Sequence, residues 1–174
     1  MRLLVSGATV AVKAWHARRP DRVGVFLTPG KGMVVSMLGL GIPYAADNGC
    51  FSRYDPDAIE RMLAVLAARP DRPLFFACPD VVGDAPATLT RFRDWGPRVR
   101  ALGIPVALVG QDGLTPNHVD WDAIDAYFVG GSTEWKLSRE SHALVRHAKT
   151  RGKHVHMGRV NSCRRIRVAA VWGV

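Results

Sequence analysis

An α/β fold, with strands and helices alternating around a parallel sheet that closes toward a barrel, is predicted by three observations. Short apolar runs of strand length recur along the chain. Each is followed by turn residues and then by a longer stretch with helical spacing. Polar residues stand just beyond the runs, at strand carboxyl ends: Asp47, Asp80, Gln111, Gly130 with Gly131, and Gly158 with Arg159. Continuous apolar strands imply burial on both faces, as in parallel sheets covered by helices through right-handed crossovers. Polar residues contributed by so many strands suit a ring better than the single crevice of an open sheet, so the expected architecture is a TIM-type (β/α) barrel.

The strands are expected at 2–6, 23–27, 43–46, 74–77, 106–109, 126–129 and 154–157. The clearest helices are expected at 56–68, 85–102, 138–151 and 162–172, and the charged sequence after Thr9 is helix-like. Asp55, Asp84, Ser138 and Ser162 stand where N-caps belong, with Pro56 at a first helical position. Gly103 and Gly152 stand where left-handed C-caps belong. This makes about seven strands, whereas a parallel barrel closes with eight. The expectation is therefore one barrel domain over 1–174 that lacks its final strand. Its open edges should favour self-association, pairing with a second chain, or marginal stability.

A chain of 174 residues is long enough for one domain with a real core and too short for two comfortable ones. A hydrophobic fraction of 48% and a charged fraction of 22% are near globular averages, and no apolar run approaches the ~20 residues that span a bilayer. No membrane partner is expected. The apolar start lacks a basic leader and a small-residue cleavage site, so a cytoplasmic location is expected. Cys50, Cys78 and Cys163 are odd in number and widely spaced, which yields neither a disulfide framework nor a zinc knuckle and fits a reducing compartment. The formal net charge of +9 raises the local concentration of polyanions, nucleic acid foremost. Arginines scattered over several helices fit a compositional habit of the genome equally well.

Five segments carry candidate chemistry. Asp47-Asn48-Gly49-Cys50-Phe51-Ser52 puts a carboxylate at a strand end before a glycine turn, and an ordinary turn bonded to its own backbone reads the same way. In Cys78-Pro79-Asp80-Val81-Val82-Gly83-Asp84, Asp80 ends a buried strand and Asp84 caps the next helix. Gln111 and Asp112, before Gly113, offer donor and acceptor to a planar ring, or a turn. The segment from Gly130 through Ser132, Thr133, Glu134 and Trp135 to Lys136 lets a backbone N–H approach a ligand beside both signs of charge. It lacks the glycine patterns of dinucleotide and triphosphate loops, and Gly30-Lys31-Gly32 does not supply them. In the fifth segment Gly158, Arg159, Asn161 and Ser162 precede Arg164 and Arg165, whose charges oppose the helix dipole and need another reason, such as a phosphate. His154 and His156 alternate on one strand face at a spacing some metal hydrolases use, but with no evident third ligand a structural role is favoured and no metal is assigned.

Taken in order, these segments resemble the tRNA-guanine transglycosylase superfamily, and within it the phage and bacterial branch that inserts 7-deazaguanines into DNA. The resemblance runs through nearly the whole chain and is most specific at Asp47 to Phe51, Gly130 to Lys136 and Gly158 to Arg165. It implies exchange of guanine for a 7-deazaguanine base through a covalent carboxylate–sugar intermediate, without a cofactor, in the cytoplasm, or the host's where a phage encodes it. By match to the motifs Asp47 is the proton-handling carboxylate; Asp80 and Gln111 bond the purine edge; Gly130 and Gly131 offer backbone donors to its carbonyl oxygen; Glu134 and Lys136 complete the substrate pocket; and Arg159, Asn161, Arg164 and Arg165 hold the nucleic acid. The partners implied are DNA or tRNA, the 7-deazaguanine base, and a second chain or copy that completes the barrel. The nucleophilic aspartate is expected on the strand after 162–172, downstream of the chain end. A barrel that binds a deazapurine or nucleic acid without exchanging it, a tRNA enzyme, and a metal-dependent barrel hydrolase are the competing expectations.

Overall fold

The structure is a computed structural model that describes residues 1–7, 10–30 and 35–174. Lys31 and Gly32, discounted above as part of a phosphate loop, lie outside the described residues. Seven parallel strands form one sheet whose order is the chain order: β1 (Leu3–Ser6), β2 (Val23–Leu27), β3 (Tyr44–Ala46), β4 (Phe76–Ala77), β5 (Val106–Gly110), β6 (Ala126–Val129) and β7 (His154–Met157). The helices are α1 (Val10–Arg18), α2 (Pro56–Ala67), α3 (Ala85–Ala101), α4 (Thr133–Lys136), α5 (Arg139–Thr150) and α6 (Cys163–Trp172).

Local chemistry sets these boundaries. Asp55 accepts from the Ala58 N–H and Asp84 from the Ala87 N–H, both at 2.9 Å, so α2 and α3 start where their caps predict. Ser138 and Ser162 cap α5 and α6 in the same way. Gly103 and Gly152 sit at φ +68° and +67°, the left-handed conformation that ends α3 and α5. Pro43 has no N–H, so β3 begins one residue later than expected, although the Pro43 carbonyl still accepts from Val25 at 2.9 Å. The alternation lapses twice: among the described residues β2 and β5 are followed by single 3₁₀ turns, Val35–Met37 and Pro116–His118, instead of an α-helix.

Two apolar layers follow from the strands being covered on both faces. In the outer layer Ile59, Met62, Leu63 and Leu66, at the spacing of one helix face, bury α2 against the sheet, each worth roughly 2 kcal/mol. The inner layer sets Phe26, Phe75 and Phe128 against Ala45, Ala77, Ala107 and Ala126, so large rings oppose small residues. Phe26 of β2 stacks on Phe128 of β6 at 5.9 Å between ring centres and meets His156 of β7 at 5.5 Å. In a flat sheet β2 and β7 would be roughly 24 Å apart, five strand spacings, so these contacts require a strongly curled sheet. Among the described residues β1 and β7 each pair with one strand only. The result is a mixed α/β fold whose parallel sheet curls as in an incomplete (β/α) barrel. No helix among the described residues is long and apolar enough to cross a membrane.

Candidate functional site

The curl leaves a cavity of about 820 Å³ at the carboxyl ends of the strands. Asp47, Asp80, Gln111, Gly130, Gly131, Lys136, Arg159 and Asn161, picked from five segments of sequence, all line it. Glu134, Arg164 and Arg165 do not. Glu134 and Arg164 are exposed on α4 and α6.

The acidic wall is organised by a buried residue that the sequence showed only as part of a turn. Asn48 donates through Nδ2 to the Cys78 carbonyl at 2.7 Å and to Asp80 Oδ1 at 2.8 Å, while its Oδ1 accepts from the Cys50 N–H at 2.7 Å. The β3 loop is thereby fastened to the end of β4. Gln111 donates Nε2 to Asp80 Oδ2, and its Oε1 accepts from the Gly83 N–H at 2.9 Å. Arg91 reaches back from α3 to the Asp80 carbonyl at 2.5 Å. Burial raises the Asp80 pKa despite the opposing hydrogen bonds from Asn48 and Gln111 and the charge of Arg91. Burial likewise pushes Asp47 up to about 6; the Asn48 and Gly49 N–H groups pull against this and the neighbouring Asp80 charge adds to it. A carboxyl titrating near 6 can both give and take a proton at neutral pH.

Another part of the lining is basic. Lys136 is only 2% exposed and donates Nζ to the Gly158 carbonyl at 2.8 Å. Burial, then the charges of Arg159 and Arg165, lower its pKa to about 8. Arg159, at φ 57°, is the one non-glycine residue with positive φ among those described, and its guanidinium lies 4.0 Å from the centre of the exposed Phe51 ring. Both residues line the cavity.

Three sequence expectations change in detail. The Gly130 N–H donates to the Gly110 carbonyl at 3.0 Å, continuing the β5–β6 ladder, and offers nothing to a ligand. Gly131, which follows it, has left the ladder. The Gly130 to Lys136 segment is not an open glycine loop: Ser132 caps the one-turn helix α4, and Asp112 accepts from both the N–H and the hydroxyl of Ser132, at 2.8 and 2.5 Å. Arg165 has a reason other than phosphate to stand in the first turn of α6. It donates to the Arg159 carbonyl, to Asn161 Oδ1 and to Thr133 Oγ1, strapping the β7 loop to α4.

His154 and His156 face the inner layer, each ring packed on Phe75. Burial drives the His156 pKa down to about 3. Among the described residues no three His, Cys, Asp or Glu side chains come together to hold a metal ion. Burial also raises the Cys50 and Cys78 thiols, Cys50 to about 11, so neither is an activated nucleophile. No protein-family model and no curated protein matches this chain.

Proposed function

We propose that this chain is the base-recognition barrel, of TIM type, of a guanine/7-deazaguanine transglycosylase acting on DNA. The observation that carries the reading is a single wall of the cavity: Asp47, titrating near 6, beside an Asp80 carboxylate held in place by Gln111 and Asn48. Each carboxylate oxygen has about two acceptor sites, so Asp80 keeps acceptors for the N1–H and amino group of a guanine edge. A cavity of this size falls in the usual range for small-molecule sites.

In the exchange a second carboxylate attacks C1′ of the nucleotide and the C1′–N9 bond breaks. Its electron pair goes to N9, which takes the proton of the Asp47 carboxylic acid. The incoming 7-deazaguanine gives its N9 proton to the Asp47 carboxylate and attacks C1′, and the second carboxylate leaves with the sugar–oxygen electron pair. The resemblance expects that nucleophile on a strand after α6. A duplex target has to be flipped out, and the excess of basic residues favours the surrounding phosphates.

The test is incorporation of labelled 7-deazaguanine into guanine-containing DNA and into tRNA, by the chain alone and with any downstream-encoded polypeptide. Label in DNA that is lost with Asp47→Asn supports the proposal. Label in tRNA alone moves the substrate to RNA, and base binding without incorporation in any combination leaves a binding barrel. Absence of base binding removes the reading.

A further inference from the structure

A buried charge is expensive, costing several kcal/mol when unpaired, and native proteins pair such charges or bind an ion or ligand against them. Lys136 breaks this pattern. It is buried in the cavity wall, yet its hydrogen-bond partner is a neutral carbonyl, that of Gly158. Among the described residues no carboxylate forms an ion pair with it. Asp112, the acid whose charge reaches it, is engaged by Ser132. Glu134, on the same helical turn, is exposed. The other charges that act on Lys136 are those of Arg159 and Arg165, which share its sign.

We infer that Lys136 is the counter-ion for an anionic group of the ligand, a carboxylate or phosphate that enters the cavity lined also by Asp47 and Asp80. The inference rests on the reading of this cavity as a ligand site and adds a chemical class to it: the ligand presents donors to the acidic wall and a negative group to the basic one. Lysine supplies this without further protein change, because Nζ carries three donors and spends one on Gly158. Its pKa of about 8 leaves it charged at neutral pH.

The anion has two possible sources, a substituent on the base or the phosphate of a nucleotide, and two pairs of probes separate them. One pair is 7-deazaguanine carrying a carboxylate or an aminomethyl group at C7; the other is guanosine 5′-monophosphate and guanosine. Calorimetry is expected to show the anionic member of one pair binding about tenfold or more tightly than its counterpart, the factor of one charge-assisted hydrogen bond, with the advantage lost in Lys136→Met. The pair that shows the effect names the source. No Lys136-dependent advantage in either pair overturns the inference. Unliganded Lys136→Met, which removes the unpaired charge at similar volume, is expected to unfold at a higher temperature than the wild type; unfolding at a lower one shows that the bond to Gly158 is the lysine's purpose and also overturns it. If none of the four probes binds, the base-exchange reading falls by itself. The anion site is then decided by thermal unfolding in acetate and in inorganic phosphate against chloride: a rise confined to the wild type keeps it, and equal behaviour of wild type and Lys136→Met ends it.

Discussion

Gln111 clamps Asp80 from one side, its Nε2 donating to the carboxylate while its Oε1 takes the Gly83 N–H at 2.9 Å. The amide cannot be turned without losing both bonds, so the pair is preorganised in the lining of the cavity. Gln111→Glu keeps the shape but sets carboxylate against carboxylate in a buried place. Urea denaturation at pH 7 should show a loss of about 2 kcal/mol, most of which returns when the measurement is repeated near pH 4. An equal loss at both pH values would mean that packing, not charge, is responsible.

Asp47 should be a burden to stability and an asset to function. Its folded pKa of about 6 lies above the ordinary 3.8, so its favourable contribution is complete below 3.8 and is lost as pH rises through 6. Asp47→Asn should therefore be more stable than wild type at pH 7, by about 2 kcal/mol, and no more stable near pH 3.5. Chemical denaturation at the two pH values measures this directly, while the same variant should neither exchange nor protonate a base.

His156 acts in the opposite direction. Its pKa is depressed from 6.5 to about 3 by burial, followed by the charges of His154 and Lys136, so its contribution is complete above 6.5 and is lost as pH falls toward 3. His156→Phe replaces one ring among Phe26, Phe75 and Phe128 by another that carries no proton. The fall in melting temperature between pH 7 and pH 4.5 should shrink markedly in this variant. An unchanged acid dependence would place the acid-sensitive group elsewhere.

Tyr127 is wholly buried with no partner for its hydroxyl among the described residues. Tyr127→Phe should raise stability by about 1 kcal/mol, since an unsatisfied buried hydroxyl costs desolvation and returns nothing. That hydroxyl stands where a side chain on Gly110 would go, so Gly110→Ala should cost 3 kcal/mol or so in the wild type. The alanine should be tolerated better when both changes are made together, which a double-mutant cycle by thermal unfolding would reveal.

The central strands were legible because a parallel sheet covered on both faces writes them as unbroken apolar runs, and β2, β5 and β6 are buried at every position. Helix α1 was read only as helix-like, because it buries Val12 and little else and so has no periodic stripe. Helix α4, four residues behind paired glycines, left no period at all. At the site, Asp47, Asp80 and Gln111 were visible because a polar residue at the end of an apolar strand has few structural reasons to be there. Asn48 was not, since its role joins β3 to β4 across thirty residues of chain that local spacing does not connect. The loss of the Gly130 donor is equally invisible locally, being set by the register that pairs Gly110 with Val129.

The identity of sheet order and chain order has a consequence for how the molecule is made. Each strand finds its hydrogen-bonding neighbour in the segment synthesised just before it, so no strand has to wait for a distant partner. Paired residues of neighbouring strands lie only 19 to 30 positions apart along the chain, and with translation at ~5–20 residues per second each unit has seconds to dock before the next leaves the ribosome. The contact of Phe26 on β2 with His156 on β7 cannot form until the seventh strand has been made, so the cavity that both residues line with Asp47 and Lys136 is complete only then.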